Sequence, residues 1–128
     1  MRIETLNPKN LIPQAYGNVF RNKVKNFIES IRNKNNVPEI LCLSDGNSLF
    51  YVLDGHHRVI AYSHMNLNIP SRIIENEEDL LRTYYQANIW TTNITLAQKR
   101  AQEQLRLCKK KGIENFTDLE RILIWEGY

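Results

Sequence analysis

The spacing of apolar residues divides the chain into a strand-bearing first part and a helical second part. Arg2 to Leu6 alternates weakly and predicts a short strand. Pro8 and Pro13 bracket Leu11-Ile12 and argue for an extended, non-helical lead-in. From Asn18 the spacing turns helical: Val24, Phe27, Ile28 and Ile31 share one face, while Lys23, Lys25, Asn26 and Glu29 fall elsewhere. That helix should stop between Asn33 and Asn36, ahead of Pro38. Glu39 to Leu43 and Leu49 to Leu53 read as a hairpin around Ser44-Asp45-Gly46-Asn47. A helix from His56 or His57 to about Met65 follows, then a strand from Ile69 to Ile74, where Pro70 suits a first position or a sheet edge.

After Glu75 the pattern is helical throughout. Glu77 to about Asn88 carries Leu80, Leu81, Tyr84 and Tyr85. Thr95-Leu96-Ala97-Gln98 is a capping-box pattern opening a helix to about Lys110, with Gly112 beyond it, and Thr117-Asp118-Leu119-Glu120 opens a last helix through Trp125. Leu119, Ile122, Leu123 and Trp125 make that last helix too apolar to stand free, so it must pack on the domain or on another subunit. The order predicts an α+β fold, a small sheet with packed helices and a helical C-terminal part. It forms one domain, with a mixed core over 1–76 and helices over 77–128. Tyr84, Tyr85, Trp90 and Trp125 are expected in the core or at an interface.

Composition changes this picture little. The chain of 128 residues has 24% charged residues and a net charge of +3, ordinary values for a globular domain. No apolar run approaches the roughly 20 residues of a membrane span, and the N-terminus lacks a signal-peptide plan, which predicts a cytoplasmic protein without membrane partners. Cys42 and Cys108 form neither a disulfide framework nor a zinc spacing and read as packing residues. The charge is unevenly spread. Lys99, Arg100, Arg106, Lys109, Lys110 and Lys111 face only Glu103 between Lys99 and Lys111, while Glu75, Glu77, Glu78 and Asp79 form an acidic cluster. The basic helix is either a solvated face or a set of phosphate contacts to DNA.

The densest chemistry lies in Asp54-Gly55-His56-His57-Arg58, at the junction of strand and helix. Gly55 can take a backbone angle closed to other residues, and the first amides of the helix then point out of the turn as an anion site. Arg58 adds a two-pronged donor for phosphate or carboxylate. Asp54 can cap the helix, or hold Mg²⁺ alongside phosphate oxygens and water. His56 and His57 are candidate acids or bases, since imidazole titrates near neutrality. A site built on Asp54, His56 or His57 and His64 is a further arrangement, but His57 and His64 sit roughly 10 Å apart along a helix axis, too far to share one ion.

This motif, the Leu11-Ile12-Pro13 lead-in, the helix ending Ile28-Glu29-Ser30-Ile31 and the strand pair around Asp45 together resemble the ParB/sulfiredoxin superfamily, over roughly Asn7 to Gln98. The resemblance implies a small mixed sheet and a Gly-centred turn that holds nucleotide phosphates. CTP-hydrolysing ParB proteins carry Gly-Glu-Arg-Arg where this chain has Gly55, His56, His57 and Arg58. Their second box would fall on Ala87 to Thr91, where Asn88 alone matches as a nucleotide contact. The reactive cysteine of sulfiredoxin would sit at His56, so peroxiredoxin repair is excluded. Members with Asp-Gly-His-x-Arg include free-serine kinases and proteins called ParB-like nucleases. In such kinases an acid follows the Leu-Ile-Pro segment, whereas Gln14 and Ala15 stand here.

The resemblance therefore implies a domain that binds ATP or another nucleoside triphosphate with Mg²⁺. The phosphates would lie on Gly55, His56, His57, Arg58 and Asn88, the metal on Asp54, and hydrolysis or phosphoryl transfer would use Asp54, His56 and His57. The alternative is a DNA-binding or Mg²⁺-dependent nuclease module without nucleotide turnover. Its contacts would be the basic helix, and its partner a second copy or another protein docked on the C-terminal helices.

Overall fold

The computed structural model describes residues 1–84, 86 and 89–123. Five strands, β1 (Arg2–Leu6), β2 (Leu11–Ile12), β3 (Ile40–Ser44), β4 (Phe50–Asp54) and β5 (Ile69–Ile74), form one sheet in the order β1-β5-β3-β4-β2. β1 with β5 and β3 with β4 are antiparallel, whereas β3 with β5 and β2 with β4 are parallel. The fold is α+β, as the order of elements predicts, and its sheet is mixed, as the resemblance implies.

Side chains alternate across the sheet and so create two cores. Ile40, Cys42 and Val52 face one cluster with Val59, Ile60, Phe116 and Leu119. Leu41, Leu43 and Tyr51 face the other with Leu80 and Ala101. The helices are α1 (Arg21–Arg32), α2 (His56–His64), α3 (Glu77–Arg82), α4 (Ile94–Lys110) and α5 (Phe116–Arg121). α1, α2 and α5 cover the first face, and α3 lies over the second. α4 gives Ala101 to one cluster and Cys108 to the other, and so spans both layers. The C-terminal part thus closes both faces of the sheet. Phe116 and Leu119 bury the apolar side of α5 on the domain itself. Both cysteines are buried and free, and burial pushes the Cys42 thiol up to about 12. Among the described residues no helix is long and apolar enough to cross a membrane.

Several boundaries depart from the sequence pattern, each for a local reason. Pro8–Asn10 is a 3-10 turn rather than extended chain, because the Asn7 side chain accepts the Lys9 N–H and Pro8 fits the first helical position. α1 starts at Arg21, since Asn18 has the left-handed φ of 57°. Pro70 lies in an internal strand, but pairing of β5 with β3 begins only at Ser71, so its missing N–H interrupts no bond there. α3 ends at Arg82, well short of Asn88: the Thr83 hydroxyl donates to the Asp79 carbonyl at 2.9 Å and closes the turn.

Asparagine, and not threonine, caps the last three helices. Asn76, Asn93 and Asn115 accept the N–H groups of Asp79, Leu96 and Asp118 at 2.9 Å. Trp90, expected in a core or at an interface, is 55% exposed and meets the edge of Tyr84. Tyr85 and Trp125 lie outside the described residues.

Candidate functional site

The β4 to α2 turn depends on Gly55. Its φ of +109° is strained for any side chain, and a Cβ there would lie 2.5 Å from Cγ2 of Ile40. Glycine therefore lets α2 begin directly against β3. Asp54 stands just before it, at the end of β4, with its side chain 60% exposed.

Arg58 lines the cavity above this turn, and its guanidinium bonds to the protein itself. The guanidinium is buried beneath the turn, where Nη1 donates to the carbonyls of Pro38 at 2.9 Å and Glu39 at 2.8 Å. Nη2 donates to the Asp54 carboxylate at 3.1 Å. These bonds fix the entry to β3 and the exit from β4 to the start of α2. In this geometry Arg58 is a positioning residue.

Both imidazoles also have structural partners. Nε2 of His56 accepts the Gln14 N–H at 2.9 Å, and Nε2 of His57 accepts the Phe20 N–H at 3.0 Å. An imidazole that accepts at Nε2 is neutral and carries its proton on Nδ1. Burial, with smaller help from His57, lowers the pKa of His56 to about 4 against the opposing pull of Asp54. The two rings thereby hold both ends of the segment 14–20, a strap laid over the turn. Phe20 stacks on His57 with ring centroids 6.1 Å apart, and Phe116 lies against His56 at 5.7 Å. Gln14 completes the anchoring: its side-chain amide donates to the Ala101 carbonyl at 3.1 Å, and Gln104 donates to the Gln14 carbonyl at 2.9 Å.

Between strap, α1 and turn lies a cavity of about 710 Å³. Gly55, His56 and His57 form its floor, and Lys23, Asn26 and Phe27 of α1 form the opposite wall. Asp54 is the one carboxylate among the described residues of its lining. Lys23 Nζ lies 5.1 Å from the centroid of the Phe20 ring, so the strap holds a cation at the mouth. The helix termini are disposed unequally. α3, α4 and α5 are each capped by an asparagine side chain, whereas α2 begins after Gly55 without a side-chain cap, and its first residues line this cavity. The positive end of α2 therefore faces this space, beside Lys23 of α1.

Lys23 and Asn26 are the lining residues that the sequence does not single out. Their positions off the apolar stripe of α1 read as solvent face, and only the strap turns that face into a wall. The remaining acids go elsewhere. Glu75 pairs with Arg2 and Glu78 with Arg82, while Asp79 accepts the Glu75 N–H. Glu29 is exposed and outside the lining. His64 turns to Glu120 of α5 at 3.3 Å, away from the turn. Lys99, Arg100, Arg106, Lys109, Lys110 and Lys111 are all exposed on or just beyond α4, and none lines the large cavity. Asn88 lies outside the described residues. No group of three metal-ligating His, Cys, Asp or Glu side chains occurs among the described residues.

Comparison with protein families matches residues 1–89 to the ParB N-terminal domain. No curated protein matches the chain. Among solved structures, sulfiredoxin from Arabidopsis thaliana is 24% identical, with a TM-score of 0.53 over 64% of this chain and 94% of its own. A protein from Agrobacterium tumefaciens is 14% identical, with a TM-score of 0.58 over 93% of this chain and 61% of its own. At these identities the likeness establishes a shared fold.

Proposed function

Because this chain belongs to the ParB N-terminal domain family, we propose that it binds the phosphates of a nucleoside triphosphate, ATP or a relative, in the cavity above Gly55. One observation carries the reading: the N-terminus of α2, which has no side-chain cap, lines that cavity, with Lys23 at its mouth. Amides and the helix dipole bind the anion, and the lysine adds a point charge. Asp54, exposed at the rim, supplies the carboxylate for Mg²⁺, which takes one or two carboxylates together with phosphate oxygens. Hydrolysis or phosphoryl transfer at such a site rests on positioning and charge stabilisation. His56 and His57 serve it by fixing the strap, since the Nε2 atoms that would exchange protons already accept backbone N–H groups.

The test is thermal denaturation with ATP, ADP, CTP and GTP, with and without Mg²⁺. A ligand that binds only the folded state at about 100 times its Kd adds about 2.7 kcal/mol of stability. A rise in Tm that Lys23→Ala reduces supports the reading. Unchanged melting with every nucleotide at millimolar concentration rejects it. The exposed cations of α4 favour DNA binding as the second reading, and its signature is a steep loss of affinity with salt.

A further inference from the structure

Behind the floor of the nucleotide cavity lies a second cavity of about 360 Å³, and Leu53 and His56 are the wall between them. It opens on the sheet face covered by α3 and α4. Its apolar wall is formed by Leu43 and Leu53 of the sheet, Leu80 of α3 and Ala97 of α4, and His56 and Thr91 also line it. Of the amides at its edge, Gln14 donates to the Ala101 carbonyl and Gln104 to the Gln14 carbonyl. Arg100 is different. It lines the cavity from the exposed side of α4, and forms no ion pair among the described residues.

No acidic side chain is among the described residues of this lining. The space therefore combines an apolar wall, neutral polar groups, one guanidinium and, among the described residues, no acidic side chain. An occupant that complements it has an apolar body and a single planar anionic end, because one guanidinium matches a carboxylate in charge and in two-pronged geometry. A phosphate would bring a second charge with no second cation to meet it. We infer that this cavity is a binding site for a small organic carboxylate with an apolar body, seated on Leu43, Leu53 and Leu80 with its carboxylate on Arg100. The volume falls in the range of small-molecule sites. The carboxylate site needs no nucleotide in the neighbouring cavity, so the two sites are tested separately.

The test uses 3-phenylpropionate as the probe and its neutral amide, 3-phenylpropanamide, as the control, added to the ¹⁵N-labelled chain without nucleotide. The acid should shift the backbone resonances of Leu43, Leu80, Ala97 and Arg100 in a saturable manner. Loss of a charge-assisted bond predicts about tenfold weaker binding for the amide, and the same for Arg100→Gln. Ala97→Leu, which fills the interior and leaves the charge in place, should also weaken binding of the acid. Equal binding of acid and amide, indifference to Arg100→Gln, shifts confined to other surfaces, or no shift at millimolar probe would each overturn the site.

Discussion

Asp54 and Arg58 stand on either side of Gly55 and meet at 3.1 Å, yet the two ends of this ion pair live in different surroundings. The Arg58 side chain is 11% exposed and that of Asp54 60%. Screening leaves an exposed carboxylate contributing little, about 0–1 kcal/mol. Removing Arg58 instead strands the Pro38 and Glu39 carbonyls it serves, and Arg58→Ala should cost about 2–4 kcal/mol. Urea denaturation of Arg58→Ala and Asp54→Ala checks the asymmetry. Equal losses in the two variants would show that the bonds to Pro38 and Glu39 contribute nothing. It follows that loss of ligand binding in Arg58→Ala does not by itself report a phosphate contact, and Lys23→Ala is the cleaner probe.

His56 gives the fold a pH dependence of defined sign. Its folded pKa of about 4 lies below the ordinary 6.5, so between those values the unfolded chain binds the proton more readily. Stability is then full above about pH 6.5 and falls as the solution is acidified towards pH 4. The displacement corresponds to an upper limit of about 3 kcal/mol. His56→Gln should flatten this limb of the stability profile while lowering stability at neutral pH, because the strap loses the ring that accepts the Gln14 N–H. A slope between pH 6.5 and 4 that is the same in both proteins would assign the acid sensitivity to other groups.

Gly55 tests whether the turn tolerates any side chain. Alanine there meets both a φ of +109° and the Ile40 side chain at 2.5 Å. Backbone strain alone is worth about 1–3 kcal/mol. Gly55→Ala should therefore lower the Tm clearly more than Gly112→Ala, whose added Cβ has open space at a φ of +79°. Comparable losses at the two positions would mean that the Ile40 contact relaxes without cost.

The sheet, its helices and the glycine turn are legible in the sequence because each rests on short-range pattern: alternation, helical spacing, and a permissive residue between strand and helix. The structure places Asp54 to Arg58 among the residues that line the large cavity. What each side chain does there is not legible, because it depends on contacts across 19 to 42 residues. Arg58 finds Glu39 and Pro38, His57 finds Phe20, and His56 finds Gln14. Lys23 and Asn26 are missed for the same reason, since a wall opposite Gly55 exists only once the strap is laid down. The caps misled more simply. Thr95 and Thr117 fit the threonine capping-box pattern, but Asn93 and Asn115, two residues earlier, provide the caps.

The basic end of α4 separates the two functional readings. Lys109, Lys110 and Lys111 are exposed and do not line the large cavity. Replacing all three with glutamine should leave the nucleotide-induced rise in Tm unchanged. If the helix instead carries phosphate contacts to a duplex, the same variant should bind DNA more weakly at every sequence. The slope of log affinity against log salt should also become shallower, by about 0.9 for each phosphate contact removed. Fluorescence anisotropy with a short duplex at several salt concentrations, run beside the thermal assay, reads both quantities on the same proteins. An unchanged nucleotide shift with no measurable DNA binding assigns this face to solvation. A salt-dependent DNA affinity that the variant loses, in a protein whose melting no nucleotide alters, replaces the nucleotide reading with the DNA one.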